Sequence, residues 1–99
     1  MARLRYTELA RKDLRKIWFQ IAEDSISKAD AVVDRITSRC LRLVDFPESG
    51  PSRPGIAGDV RIVVVERWLA TYRVTPNGVQ IVRIADGRRD LSRLVLLRK

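Results

Sequence analysis

The hydrophobic pattern of this chain changes period near its middle, which restricts the fold to a helical half followed by a sheet half. Ala10, Leu14, Ile17, Trp18 and Ile21 recur at helical spacing and place one apolar stripe on a helix over 8–24. Thr7 stands where an N-cap belongs and Glu8 in the first turn, with Lys12 four residues on as a favourable partner. Ser25 to Ser27 interrupt this helix, and Ser27 with Asp30 three later fits the start of a second. Its stripe is Ala29, Val32, Val33, Ile36, Cys40, Leu43 and Val44, and it ends near Phe46-Pro47, where proline forbids continuation. Helices joined by so short a turn pack as an antiparallel hairpin.

Pro47 to Gly58 holds three of the four prolines and three of the five glycines, which makes it a loop. Beyond it the period shortens. Val60, Ile62 and Val64 fall on one side of a strand, and Arg61, Val63 and Val65 on the other. Glu66-Arg67 turns the chain, after which Trp68, Ala70, Tyr72 and Val74 alternate with Leu69, Thr71 and Arg73. Pro76-Asn77-Gly78 reads as a hairpin turn, Asn-Gly accepting the positive φ angles that tight hairpins need. Val79, Ile81, Val82 and Ile84 lack strict alternation, so the strand over 79–85 is expected to be buried on both faces or nearly so. Residues 2–6 alternate briefly as a short first strand. Leu91, Leu94, Val95 and Leu97 suit a last helical turn or a terminal strand equally well. The expected class is α+β: a short N-terminal strand and an antiparallel helical hairpin packed on an antiparallel β-sheet, with the hairpin covering one face.

Ninety-nine residues, 45% of them apolar, suffice for a single domain over 1–99. No apolar run is long enough to span a bilayer, Met1 to Tyr6 lacks the apolar core of a signal peptide, and Cys40 is the only cysteine. Together these point to the cytoplasm, with no membrane partner. The chain has no histidine, which removes histidine acid–base catalysis, Ser-His-Asp triads and imidazole zinc sites. Neither a metal nor a cofactor is expected.

The net charge of +8 is uneven: residues 1–50 carry ten Lys/Arg against eight Asp/Glu, and residues 51–99 ten against four. Such a field attracts anionic partners, and a preponderance of arginine favours fixed, directional contacts. The candidate binding residues are Arg61, Arg73 and Arg83 on the strands and the pair Arg88-Arg89 just past the last strand. Arg73 has the phase opposite to Trp68 and Tyr72 and should point away from the helices, whereas Arg61 shares its phase with Val63 and Val65. Each has an equally plain structural alternative, pairing with Glu66, Asp86 or Asp90. Arg11, Lys12, Arg15 and Lys16 form a basic patch on the first helix, most simply a solvated face. Tyr72, Trp18, Trp68 and Cys40 carry the phase of the core.

Taken in order, the residues also resemble a family. Ala10-Arg11-Lys12-Asp13-Leu14 with Ile17 and Trp18, Ala29 with Ile36, and Leu43, Pro47 and Gly50 make up the first half of the resemblance. Arg61, Tyr72-Arg73, Val82-Arg83-Ile84 and Gly87-Arg88-Arg89-Asp90-Leu91 complete it. The chain is similar along nearly its whole length to the ParE/RelE superfamily of toxins from bacterial type II toxin–antitoxin modules, and to the ParE branch more than the RelE branch. The resemblance implies a toxin neutralised by tight binding to a cognate antitoxin in a hetero-oligomer, with DNA gyrase as the target and plasmid stabilisation as a setting. The alternatives are a RelE-like endoribonuclease acting on mRNA in the ribosome, and an inactive antitoxin-binding module. Against the nuclease, the segment after Gly87 has no tyrosine, Leu69 occupies the strand position where RelE-like enzymes tend to carry an arginine, and Asp86 stands where members often have histidine. Arg88-Arg89 then reads as a recognition edge for antitoxin or target.

Overall fold

The computed structural model describes residues 3–50 and 59–87. Its elements are β1 (Arg3–Tyr6), α1 (Glu8–Ala22), α2 (Ile26–Arg42), β2 (Arg61–Val65), β3 (Trp68–Thr75) and β4 (Gly78–Asp86). The expected α+β class and the antiparallel meander of β2, β3 and β4 are both present. The sheet order is β1-β4-β3-β2, and β1 lies parallel to β4, so the sheet as a whole is mixed. A parallel neighbour needs a crossover, and here the helical hairpin lies within it. Residues 88–99, including the segment that sequence left open between helix and strand, lie outside the described residues.

Thr7 caps α1 as its position suggests, the Oγ1 accepting the Ala10 N–H at 3.0 Å. The same hydroxyl donates to the Val82 carbonyl at 2.7 Å, so the cap also fastens the helix to β4. The cap of α2 is Ser25 rather than Ser27: its Oγ accepts the Lys28 N–H at 3.2 Å, with the Ser27 hydroxyl 3.2 Å away. Both helices stop short of the limits read from their stripes. Turns carry the chain on from Leu43 to Phe46, and Leu43 is still fully buried.

The main core joins Ala10 and Ile17 of α1 and Ile36 and Cys40 of α2 to Val63, Trp68, Ala70, Tyr72, Val79, Ile81 and Ile84 of the sheet. Val60 and Ile62, backed by Leu69, form a second, smaller apolar group. Trp18 departs from expectation, being only half-buried, with its indole N–H donating to the Asp30 carboxylate at 2.7 Å across the hairpin.

β4 is not buried on both faces. Val79, Ile81 and Ile84 are buried, whereas Val82 and Ala85 are half-buried. What looked like a continuous apolar run is an alternating strand whose phase slips once. Thr71 stands opposite Arg83 and Tyr72 opposite Ile81, leaving Val82 as the extra residue of a bulge. The register leaves Val74 near the end of the sheet and 46% exposed, although its phase matches the core.

The two hairpin turns also differ from the pattern expected. Glu66, not Asn77, is the described non-glycine residue with positive φ, at 58°. The β3–β4 loop is Pro76-Asn77, followed by Gly78 at φ 148°. A Cβ on Gly78 would lie 2.0 Å from the Arg3 carbonyl oxygen, so β1 can approach this closely only past a glycine.

Candidate protein-binding surface

The strand arginines do not converge on one phosphate-sized site; each is held by a separate partner. Arg61, at the start of β2, stands opposite Tyr72 and donates through Nη1 to the Gly50 carbonyl at 2.8 Å. Arg73 stands opposite Gln80 and donates through Nε to Asp59 at 3.0 Å. Gly50 and Asp59 both lie in the connection between α2 and β2, so these two arginines tether it to the sheet. Arg83 donates to Asp13 of α1 through Nε at 2.8 Å and Nη2 at 3.1 Å, a bidentate geometry. The Asp13 carboxylate also accepts the Ile84 amide at 2.9 Å. β1 pairs no further along β4 than Ile81, so Thr7 and then Asp13 satisfy backbone groups of β4 beyond it.

Tyr72 is fully buried, as its phase predicts, and its hydroxyl is occupied twice, donating to the Pro47 carbonyl at 2.7 Å and accepting the Gly50 amide at 3.0 Å. A Cβ on Gly50 would lie 2.7 Å from that hydroxyl and 2.5 Å from the Ile62 carbonyl oxygen, so the segment closes only around glycine. Asp86 is also buried, and Arg67 Nη2 donates to it at 2.6 Å while the guanidinium carbon sits 4.7 Å from the centroid of the Trp68 ring. The Gly87 amide adds a bond to the Arg67 carbonyl at 2.8 Å. Arg88 and Arg89 lie outside the described residues.

Two groups titrate abnormally. Burial, reinforced by the neighbouring Cys40, raises the Tyr6 phenol well above its ordinary value, and burial pushes the Cys40 thiol up to about 11. Both therefore stay protonated at neutral pH, and the thiol is a poor nucleophile. Among the described residues, no group of three or more His, Cys, Asp or Glu is placed to hold a metal ion. No helix among them is long and apolar enough to cross a membrane.

The surface that sequence reasoning missed lies between α2 and the edge strand β2. An open groove of about 360 Å³ is lined there by Asp34, Arg35, Ser38, Arg39, Arg42, Val64 and Val65. Arg35 is ion-paired with Glu66 in the β2–β3 turn, and Arg39 reaches the Ser49 hydroxyl at 3.5 Å. The Arg42 guanidinium has no hydrogen-bond or ionic partner among the described residues. The available signal was the spacing of Arg35, Arg39 and Arg42, which puts all three on one face of α2.

Comparisons with known proteins agree with one another. Residues 4–91 match the family described as the ParE toxin of the type II toxin–antitoxin system, parDE. Toxin ParE3 of Caulobacter vibrioides is 32% identical over 93 residues, covering 93% of this chain and 93% of that protein. The solved structure titled chromosomal ParDE TA system from P. aeruginosa superposes with a TM-score of 0.75 at 28% identity, covering 87% of this chain and 96% of that one.

Proposed function

Because the chain belongs to the ParE toxin family of type II toxin–antitoxin systems, we propose that it acts in the cytoplasm by binding DNA gyrase, and that a cognate antitoxin neutralises it by binding in turn. The action is one of occupancy, with no bond made or broken by the toxin. One observation carries this reading against a nuclease: the groups that phosphodiester cleavage would recruit are already engaged within the fold. Tyr72 is buried with both hydrogen-bonding roles of its hydroxyl taken, and Arg61, Arg73 and Arg83 hold a backbone carbonyl, Asp59 and Asp13 respectively. Cleavage without a metal needs a proton carrier and a stabiliser for the phosphate, both free to face substrate. Arg88 and Arg89 remain the proposed recognition edge for target or antitoxin.

Purified toxin added to gyrase in a supercoiling assay should block supercoiling at low molar excess, and addition of antitoxin should restore it. Unimpaired supercoiling would reject the target. Codon-phased cuts on programmed ribosomes would establish the nuclease reading in its place.

A further inference from the structure

We propose that the outward face of α1 is a docking site for the phosphodiester backbone of duplex DNA, held by Arg11, Lys12, Arg15 and Lys16. The site goes beyond gyrase binding, because the toxin makes this contact by itself. Only the choice of DNA over RNA rests on the gyrase reading.

The helix presents these residues together. Ala10 and Ile17 are buried against the sheet, and Leu14 and Ile21 pack on the same core. The four cations fall on the opposite side, all of them exposed. Arg11 and Arg15, four residues apart, form one ridge, and Lys12 and Lys16 form the next.

Their charges are uncommitted. None of the four side chains has a hydrogen-bond or ionic partner among the described residues. That sets them apart from Arg35, Arg61, Arg67, Arg73 and Arg83, each held by a carboxylate or a carbonyl elsewhere in the fold. Asp13 is the only acid between Leu9 and Ala22, and it is bonded to Arg83 and to the Ile84 amide. Asp30, across the hairpin, already accepts the Trp18 indole. Like charges four apart on a helix repel, and an anion laid along both ridges relieves that repulsion.

Charge density selects the occupant. Residues 11–16 rise about 7.5 Å along the helix axis. Duplex DNA presents one negative charge per about 1.7 Å of its own axis, hence about four over the same length. Folded protein surfaces intersperse acids with bases and do not sustain that density. The arginine forks suit phosphate oxygens bidentately, and the lysines act beside them as point charges. Contacts of this kind are to the backbone, so binding should be indifferent to base sequence.

Fluorescence anisotropy with the full toxin and a short labelled DNA duplex tests the site. Log affinity should fall against log salt with a slope of about −3.6, four phosphate contacts contributing about 0.9 each. Arg11→Gln with Arg15→Gln, and separately Lys12→Gln with Lys16→Gln, should each weaken binding at least about fivefold at low salt and flatten the slope by about 1.8. Glutamine is a good helix former and the positions are exposed, so the melting temperature should hold. The matched control is Arg3→Gln with Arg5→Gln, which removes two exposed charges from β1 and should weaken binding less than about twofold. Equal losses from the helix and strand pairs would make net charge the cause and overturn the site. Displacement of the duplex by poly-glutamate at matched charge would assign the face to an acidic protein, and tighter binding of duplex RNA would assign it to RNA; either overturns the proposal. No measurable duplex binding at low salt would overturn it too, while leaving gyrase inhibition untouched. Duplex binding as described with supercoiling unimpaired would sustain the site and reject the gyrase reading.

Discussion

Asp13 and Arg83, seventy residues apart in sequence, meet in a bidentate ion pair, and the same carboxylate accepts the Ile84 amide at 2.9 Å. One side chain of α1 thus ends the exposed edge of β4 and fixes the direction of an arginine read from sequence as a binding residue. Asp13→Ala should cost about 2 kcal/mol, because it removes the bidentate carboxylate partner of Arg83 and leaves the Ile84 edge amide without its acceptor. Urea unfolding measures this directly. A double-mutant cycle with Arg83→Ala should return a coupling energy of about 1 kcal/mol or more, since the two residues share one interaction.

Tyr72→Phe keeps the ring in the core and deletes only the hydroxyl that joins the Pro47 carbonyl and the Gly50 amide. A loss of about 1–3 kcal/mol is expected, with two backbone groups left without their partner. Gly50→Ala should be at least as damaging, as its Cβ would press on the Ile62 carbonyl and the Tyr72 ring. Thermal melts of both variants should show the domain cooperative but less stable. Toxicity that vanished in Tyr72→Phe at full stability would instead point to a direct part in the activity.

The buried Cys40 and Tyr6 predict an alkaline limit to stability. Each has a folded-state pKa above its unfolded one, so the unfolded chain gives up protons first as pH rises. Their contribution is complete below about pH 9 and declines above it, through the Cys40 value of about 11. Melting temperature measured from pH 7 to 11 should fall over the upper part of that range, and less steeply in Cys40→Ala when each protein is referred to its own value at pH 7. At pH 8 the native thiol should resist a thiol-exchange reagent that reacts readily with the urea-unfolded chain.

Arg88→Ala with Arg89→Ala should lower toxicity or antitoxin affinity without changing the melting temperature. Growth after induced expression and co-purification with antitoxin read the two properties separately. Both surviving intact would reduce this pair to ordinary surface charge.

The helical half was legible because its signals are local. Thr7 caps where expected, and the stripes bury Ala10 and Ile17 of α1 and Ala29, Ile36 and Cys40 of α2. The sheet half was legible in its order but not in its phase, because the bulge at Val82 depends on pairing between strands and leaves no mark on β4 alone. The same limit explains the arginines. Residue type and strand position identify Arg61, Arg73 and Arg83 as cations able to bind, but their partners are a carbonyl at 50, a carboxylate at 59 and another at 13. Only the folded chain brings those within reach. Trp18 was misjudged for a related reason: its stripe position is correct, but Asp30 across the hairpin draws the indole N–H towards the rim.

The parallel pairing of β1 with β4 has a consequence for synthesis. The first strand finds its place only against residues 78–81, and Thr7 and Asp13 bond to residues further along that strand. A nascent chain emerging from the ribosome therefore carries residues 3–6 without their sheet partner until residues 78–81 have followed them out. Premature termination before residue 78 yields a fragment that cannot close its sheet, so the first strand is seated only after β4 has been made.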